Sequence, residues 1–291
     1  MTAFWMAWIM FWIIPSPVMR WDKEKTKDML LCMPVIGLFI GGLWALIAWL
    51  ISSFFEPNAL FAALLAAFPW IITGFLHLDG YMDCADAVLS FRDREEKLRI
   101  LKDSHVGSFA VVMLGLLMLF SYSSFSGMTS LGDKWPALIF IPAVSRACSI
   151  FSVLSFRPLE TSSYVRMHEQ GIGKGYRWLS GLMIPLLIAL SFVFCGRYGV
   201  SALVCGICSL LTVLKLTRNL GGMSGDISGC ALTIGEACAV IALVKAKRKK
   251  APAATLACCV AMAALLLSGH PWPALACAVG AVACWACSVQ G

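Results

Sequence analysis

Apolar residues run in long blocks along this chain, broken by four longer polar connections at 15–29, 77–107, 156–177 and 215–230. The blocks predict membrane-spanning helices at 30–51, 59–76, 108–128, 135–155, 178–195, 199–214, 231–244, 254–268 and 273–288. The last four are short for the ~30 Å of hydrocarbon in a bilayer, so the pattern predicts an all-α, polytopic membrane helical bundle of about seven to nine transmembrane helices. No repeat of 20–50 residues and no soluble domain stand out. The opening "MTAFWMAWIMFWII" lacks the basic start and small-residue cleavage site of a secretory signal, and Pro15 and Pro17 close it. It reads as an aromatic-rich helix in or near the interface, giving three parts: an interfacial segment at 1–29, a membrane domain at 30–245, and a basic segment with two extra hydrophobic stretches at 246–291.

Composition agrees, with 60% hydrophobic and 13% charged residues among 291. The formal charge of +7 is spread over short loops, which fits a topology signal and attraction to anionic lipid rather than nucleic acid. Five Lys or Arg in 77–107 and four in 156–177, against none in 52–58, place the polar connections on the cytoplasmic side. The exception is "KAKRKK" at 245–250, which lands outside if 231–244 crosses. Ten of the 13 cysteines follow residue 194, mostly in apolar segments, where cysteine acts as a small hydrophobe.

Seven of the 16 acidic residues fall between 79 and 103. At about 100° per residue, Asp79, Asp83 and Asp86 lie within about 60° of one another on a helix, a single stripe of carboxylates. Like charges so placed repel unless a cation sits among them. Oxygen ligands suit Mg²⁺, which takes one or two carboxylates and completes its shell with water and substrate phosphates. A solvated helix face is the plain alternative. "DREE" at 93–96 reads as a capping box with Asp93 as N-cap, and Glu95 pairs with Arg99 at i, i+4. Asp103, in the turn "KDSHVGSF" beside Lys102 and His105, can fold back toward the stripe.

Arg146 lies inside an apolar segment, where a charge is costly, so it should face an anion such as phosphate or pair with a neighbouring helix. The stretches "HEQGIGKGYR" and "RNLGGMSGDISG" are neither P-loops nor dinucleotide fingerprints. Their glycines let backbone amides approach phosphate, or simply make turns. Lys174, Arg177 and Arg218 bring positive charge beside them, and Asp226 adds a metal-type oxygen. Glu236 has Arg218 as a candidate partner, and His77 points away from the stripe.

"TGFLHLDGYMDCADA" (73–87), "LKDSHVGSFAVV" (101–112), "VSRA" (144–147) and "LGGMSGDISGCALTIGE" (220–236) resemble, in order and spacing, the cobalamin synthases, or adenosylcobinamide-GDP ribazoletransferases. The resemblance covers about residues 30–245. It implies a bacterial inner-membrane enzyme with its active site facing the cytoplasm. There the 3′-hydroxyl of α-ribazole, or of its 5′-phosphate, attacks the cobinamide-linked phosphorus of adenosylcobinamide-GDP and releases GMP. It also implies Mg²⁺ as cofactor, in a site like that of the CDP-alcohol phosphotransferases. Carried over to this sequence, Asp79, Asp83, Asp86 and Asp103 are the catalytic and metal-binding positions, with Asp226 closing the metal site. Lys102, Ser104, Arg146, Arg218 and Gly225 are the substrate and phosphate positions. The family commonly has Arg in place of His105 and Thr in place of Ser224, and its chains usually end near residue 245. Partners are the two substrates and the lipid bilayer, with self-association left open.

Two rivals share some of these features. Intramembrane prenyltransferases also use aspartates and Mg²⁺ on a diphosphate, but their paired D-x-x-x-D motifs are not reproduced, since the second cluster offers only Asp226. Cation transporters place acids near mid-membrane, often in two related halves, whereas this triad lies at a span's end.

Overall fold

The computed structural model describes residues 2–56, 58–126 and 132–246. The hydrophobic segments expected at 254–268 and 273–288 and the basic run at 247–250 lie outside them. The described residues form twelve α-helices: α1 (Thr2–Phe11), α2 (Thr26–Leu31), α3 (Met33–Phe54), α4 (Ala59–Ile72), α5 (Leu76–Leu89), α6 (Arg94–Ile100), α7 (Ser108–Ser126), α8 (Ala137–Ser155), α9 (Val165–Glu169), α10 (Lys174–Cys195), α11 (Val200–Leu220) and α12 (Gly225–Lys245). Among the described residues, five apolar stretches are long enough to cross a membrane, or six if the bent pair α4–α5 is one span. One of the five, 174–220, contains both α10 and α11. Ser191 of α10 donates to the Gly199 carbonyl at 3.3 Å, eight residues on, so the chain doubles back between the two helices.

The bundle is built around α8, which packs on α3, α10, α11 and α12. Between apolar helices in lipid, close approach takes the place of the hydrophobic effect, and small residues permit it. Gly37 and Gly41 of α3 do so here: a Cβ at either would strike the α8 backbone at Pro142 or Ile139. The aromatic α1 lies against α3 and α5, with Trp8 edge-on to Phe39 and Phe11 stacked on His77.

Two departures from the sequence pattern place the functional residues. The apolar run 59–76 is not one straight helix. Thr73 donates its hydroxyl to the Pro69 carbonyl at 2.8 Å, and Gly74 and Phe75 both turn left-handed, at φ +60° and +63°. The chain thereby bends by 91° and sends α5 off in a new direction. A left-handed Phe is strained by ~1–3 kcal/mol, and such strain is held by surrounding structure. The second departure is α12, which starts at Gly225 rather than 231 and runs 21 residues. Its glycine-rich start is helical because the Ser224 hydroxyl caps it, accepting from Ile227 N–H at 3.3 Å.

Candidate active site

Helix α5 crosses the first turns of α12 at two glycines. A Cβ on Gly80 would stand 2.8 Å from the Asp226 Cα, and one on Gly229 would stand 3.1 Å from the His77 carbonyl oxygen. Thr233 donates to that same carbonyl at 3.1 Å. This crossing brings Asp226 beside the stripe expected on α5. Asp79, Asp86 and Asp226 all lie close enough to act electrostatically on Asp83, and Asp79 acts on Asp226. Asp79 is exposed, while Asp83, Asp86 and Asp226 are partly buried. Among the described residues, none of the four has a salt-bridge partner. Gly80 is a functional position that the sequence analysis did not single out. Its signal was a glycine beside Asp79, on the α5 face that meets α12.

Asp86 has other work. Its carboxylate accepts from Gly107 N–H at 2.6 Å and from Ala110 N–H at 2.9 Å, capping the amino end of α7. A carboxylate there satisfies two orphan amides and lies at the positive end of the helix dipole. A Cβ on Gly107 would stand 2.5 Å from that carboxylate, which explains the glycine in the K-D-S-x-x-G string.

Asp103 lies outside the α5 stripe. It is exposed in the loop before α7 and accepts from both the backbone N–H of His105, at 3.0 Å, and its ring, at 2.7 Å. These bonds hold its carboxyl below the usual aspartate range. Lys102 and Ser104 are exposed beside it. Asp93 caps α6 as predicted, accepting from Glu96 N–H at 3.0 Å. Arg99, however, pairs with Glu96 at 2.6 Å rather than with Glu95, so the expected i, i+4 pair is an i, i+3 pair.

The loop carrying Asp226 is clamped on both sides. Met223 and the 157–159 segment exchange backbone bonds, with Met223 N–H on the Arg157 carbonyl at 2.8 Å and Leu159 N–H on the Met223 carbonyl at 2.9 Å. From α6, Arg94 donates to the Leu220 carbonyl at 2.9 Å and Lys97 to the Asn219 side chain at 3.0 Å. The Arg94 guanidinium fills the space a side chain on Gly221 would need, and Gly221 has φ +90°. Arg218 is exposed at the end of α11, and Gly225 opens α12 on the exposed side.

Arg146 is fully buried. Its Nη1 donates to Glu236 at 2.7 Å and to the Pro142 carbonyl at 3.1 Å, and Ser145 donates to the same Glu236 oxygen at 2.7 Å. Of the two anions open to Arg146 in the sequence, phosphate or a neighbouring helix's carboxylate, this arrangement presents the carboxylate. Glu236 is thus paired with Arg146, not with Arg218.

Residues 3–244 match the family model described as cobalamin-5-phosphate synthase. The chain belongs to that family. It is 39% identical over 235 residues to the adenosylcobinamide-GDP ribazoletransferase of Clostridium perfringens strain 13, covering 80% of this chain and 94% of the relative. A protein of the same name from Clostridium botulinum strain Alaska E43 is 35% identical over 79% of this chain and 92% of its own length. The one from Geotalea daltonii is 33% identical over 80% and 92%. No solved structure matches the chain at a significant level.

A donor set of aspartate oxygens without salt-bridge partners among the described residues fits a hard divalent cation. Among the described residues, no three acidic, histidine or cysteine side chains converge into a ready cage.

Proposed function

We propose that this chain performs the reaction for which its relatives are named. The cobinamide-phosphate group of adenosylcobinamide-GDP passes to α-ribazole or its 5′-phosphate, and GMP is released. The 3′-hydroxyl oxygen bonds to the cobinamide-linked phosphorus, the bond from that phosphorus to the GMP oxygen breaks, and the hydroxyl proton goes to a carboxylate. Phosphoryl transfer of this kind needs positioning and charge neutralisation more than covalent help from protein.

The observation that carries the reading is Asp226 set against Asp79 and Asp83 by the Gly80 contact. Asp79, Asp83 and Asp226 are the proposed holders of Mg²⁺, which neutralises diphosphate charge when bound. Asp86 fixes the end of α7 beside them and completes the acidic group, and Asp103 is a further ligand from the α7 loop. Lys102, Ser104, Arg218 and the backbone at Gly225 are the proposed diphosphate and GMP contacts. The amino end of α12, where the Ser224 cap takes the Ile227 N–H, adds a dipole that favours an anion. Arg146 supports the site from within, by holding α8 to α12. We place the protein in a bacterial inner membrane with this site on the cytoplasmic side, in keeping with the basic connections.

The test is to incubate the purified chain with adenosylcobinamide-GDP, α-ribazole and Mg²⁺ and follow GMP. Magnesium-dependent GMP release together with the corrinoid product is expected. Release of neither overturns the proposal.

A further inference from the structure

A groove lies on another part of the molecule. Between α8 and α10 runs a groove of about 530 Å³, to which neither α5 nor α12 contributes a residue. From α10 it is lined by Lys174, Arg177, Trp178, Gly181, Leu182 and Pro185, with Phe151 of α8 opposite. These α10 positions follow the i, i+3, i+4, i+7 spacing of one helix face. Along that face the chemistry changes in order, from two cations, to an aromatic ring, to apolar carbon.

The two cations are free to bind. Lys174 and Arg177 are exposed, and among the described residues neither has an ion-pair partner. Arg177 is aimed, because its Nε donates to the Leu154 carbonyl at 3.1 Å near the end of α8. That bond fixes the guanidinium plane while its Nη atoms take no hydrogen bond among the described residues. Trp178, 79% exposed, follows one residue on, the amphipathic ring expected at headgroup level. Below it Gly181 keeps the groove open: a Cβ there would stand 3.3 Å from the Phe151 ring.

The length decides what fits. From residue 174 to 185 the helix rises ~16 Å at ~1.5 Å per residue, close to half of a ~30 Å hydrocarbon core. A ligand with an anionic head at one end and about one leaflet of apolar tail matches both the charge and the extent. We propose that this groove binds an anionic phospholipid, its phosphate on Lys174 and Arg177, its glycerol region beside Trp178, and an acyl chain along Gly181–Pro185 against Phe151. The lipid would bridge α8, the central helix, to the start of α10.

The full chain would be reconstituted in nanodiscs of mixed phosphatidylglycerol and phosphatidylcholine, extracted in mild detergent, and weighed by native mass spectrometry. The expected result is one retained phosphatidylglycerol, in preference to phosphatidylcholine. That preference should drop about fivefold for each cation removed in Lys174→Gln and Lys174→Gln/Arg177→Gln. Gly181→Leu, which blocks the tail channel, should lower retention of either lipid. Lys174→Gln breaks no hydrogen bond or ion pair among the described residues and carries the test alone if the others fail to fold. Inorganic phosphate should not displace the lipid, because it lacks the tail. Equal retention of the two lipids by the wild type, equal retention by wild type and Lys174→Gln, or displacement of the lipid by adenosylcobinamide-GDP overturns the proposal. The readout is lipid mass, so it stands or falls separately from GMP release.

Discussion

Gly80 and Asp226 are in backbone contact, with 2.8 Å between the Asp226 Cα or carbonyl oxygen and the position a Cβ on Gly80 would take. No side chain stands between α5 and the first turn of α12 at this contact, which sets Asp226 beside the carboxylates of α5. Gly80→Ala must push the helices apart, since the obstacle is backbone rather than a movable side-chain end. A displacement approaching 1 Å at a reacting centre costs on the order of a hundredfold in rate. Gly80→Ala is therefore expected to lose about that much GMP release while keeping wild-type helical circular dichroism. Activity within a fewfold of wild type would show that the α5–α12 spacing does not matter.

Asp79 and Asp226 approach from different helices and lack basic partners among the described residues, so removing either charge should be tolerated by the fold. Asp79→Asn and Asp226→Asn are each expected to abolish turnover, and to raise the Mg²⁺ concentration needed for any residual rate by at least about tenfold. Thermal stability in metal-free buffer should be unchanged or slightly higher, because a like-charge repulsion is relieved. A magnesium titration of activity beside a melting curve separates loss of metal from loss of fold.

What could be read in advance divides along physical lines. The apolar blocks marked α3, α7, α8, α10 and α11 because burial in lipid demands long uniform segments, and the 100° geometry placed Asp79, Asp83 and Asp86 on one stripe. The bend at Thr73–Phe75 was not legible. It depends on a hydroxyl reaching the Pro69 carbonyl and on a left-handed Phe, which no local preference predicts. The start of α12 was misplaced because Gly225 and Gly229 look like turn residues, although the second is demanded by the His77 backbone packed against it. Asp86 was legible as a member of the acidic group, but not as the cap of α7, a partner 21 residues away. Arg146 announced that it needed an anion, and only the packing of α8 on α12 shows which one the fold supplies.

Asp86 gives a prediction of a different kind from Asp79. Its two acceptor bonds, 2.6 and 2.9 Å, hold the amino end of α7, so its removal should be felt first as stability. Loss of a helix cap costs ~1–2 kcal/mol. Asp86→Ala is expected to lower the melting temperature accordingly even without magnesium, where Asp79→Asn does not. If Asp86→Ala leaves the melting curve unmoved, the cap contributes nothing and the carboxylate serves the acidic group alone.

Arg146 and Glu236 form a pair with side chains 1% and 6% exposed, joined at 2.7 Å. Removing one member of a buried pair leaves a charge with no compensation, at a cost of ~3–5 kcal/mol, whereas replacing both with apolar groups is often close to neutral. Glu236→Leu should therefore be severely destabilised and Arg146→Met likewise, while Arg146→Met/Glu236→Leu should recover most of the melting temperature. The same double variant decides what Arg146 does. If its guanidinium only holds α8 to α12, activity returns with stability. If it grips the diphosphate of the substrate, the double variant folds but its KM for adenosylcobinamide-GDP stays high, and the phosphate role is restored. Full burial, a carboxylate on Nη1 and a serine on the same carboxylate favour the first outcome.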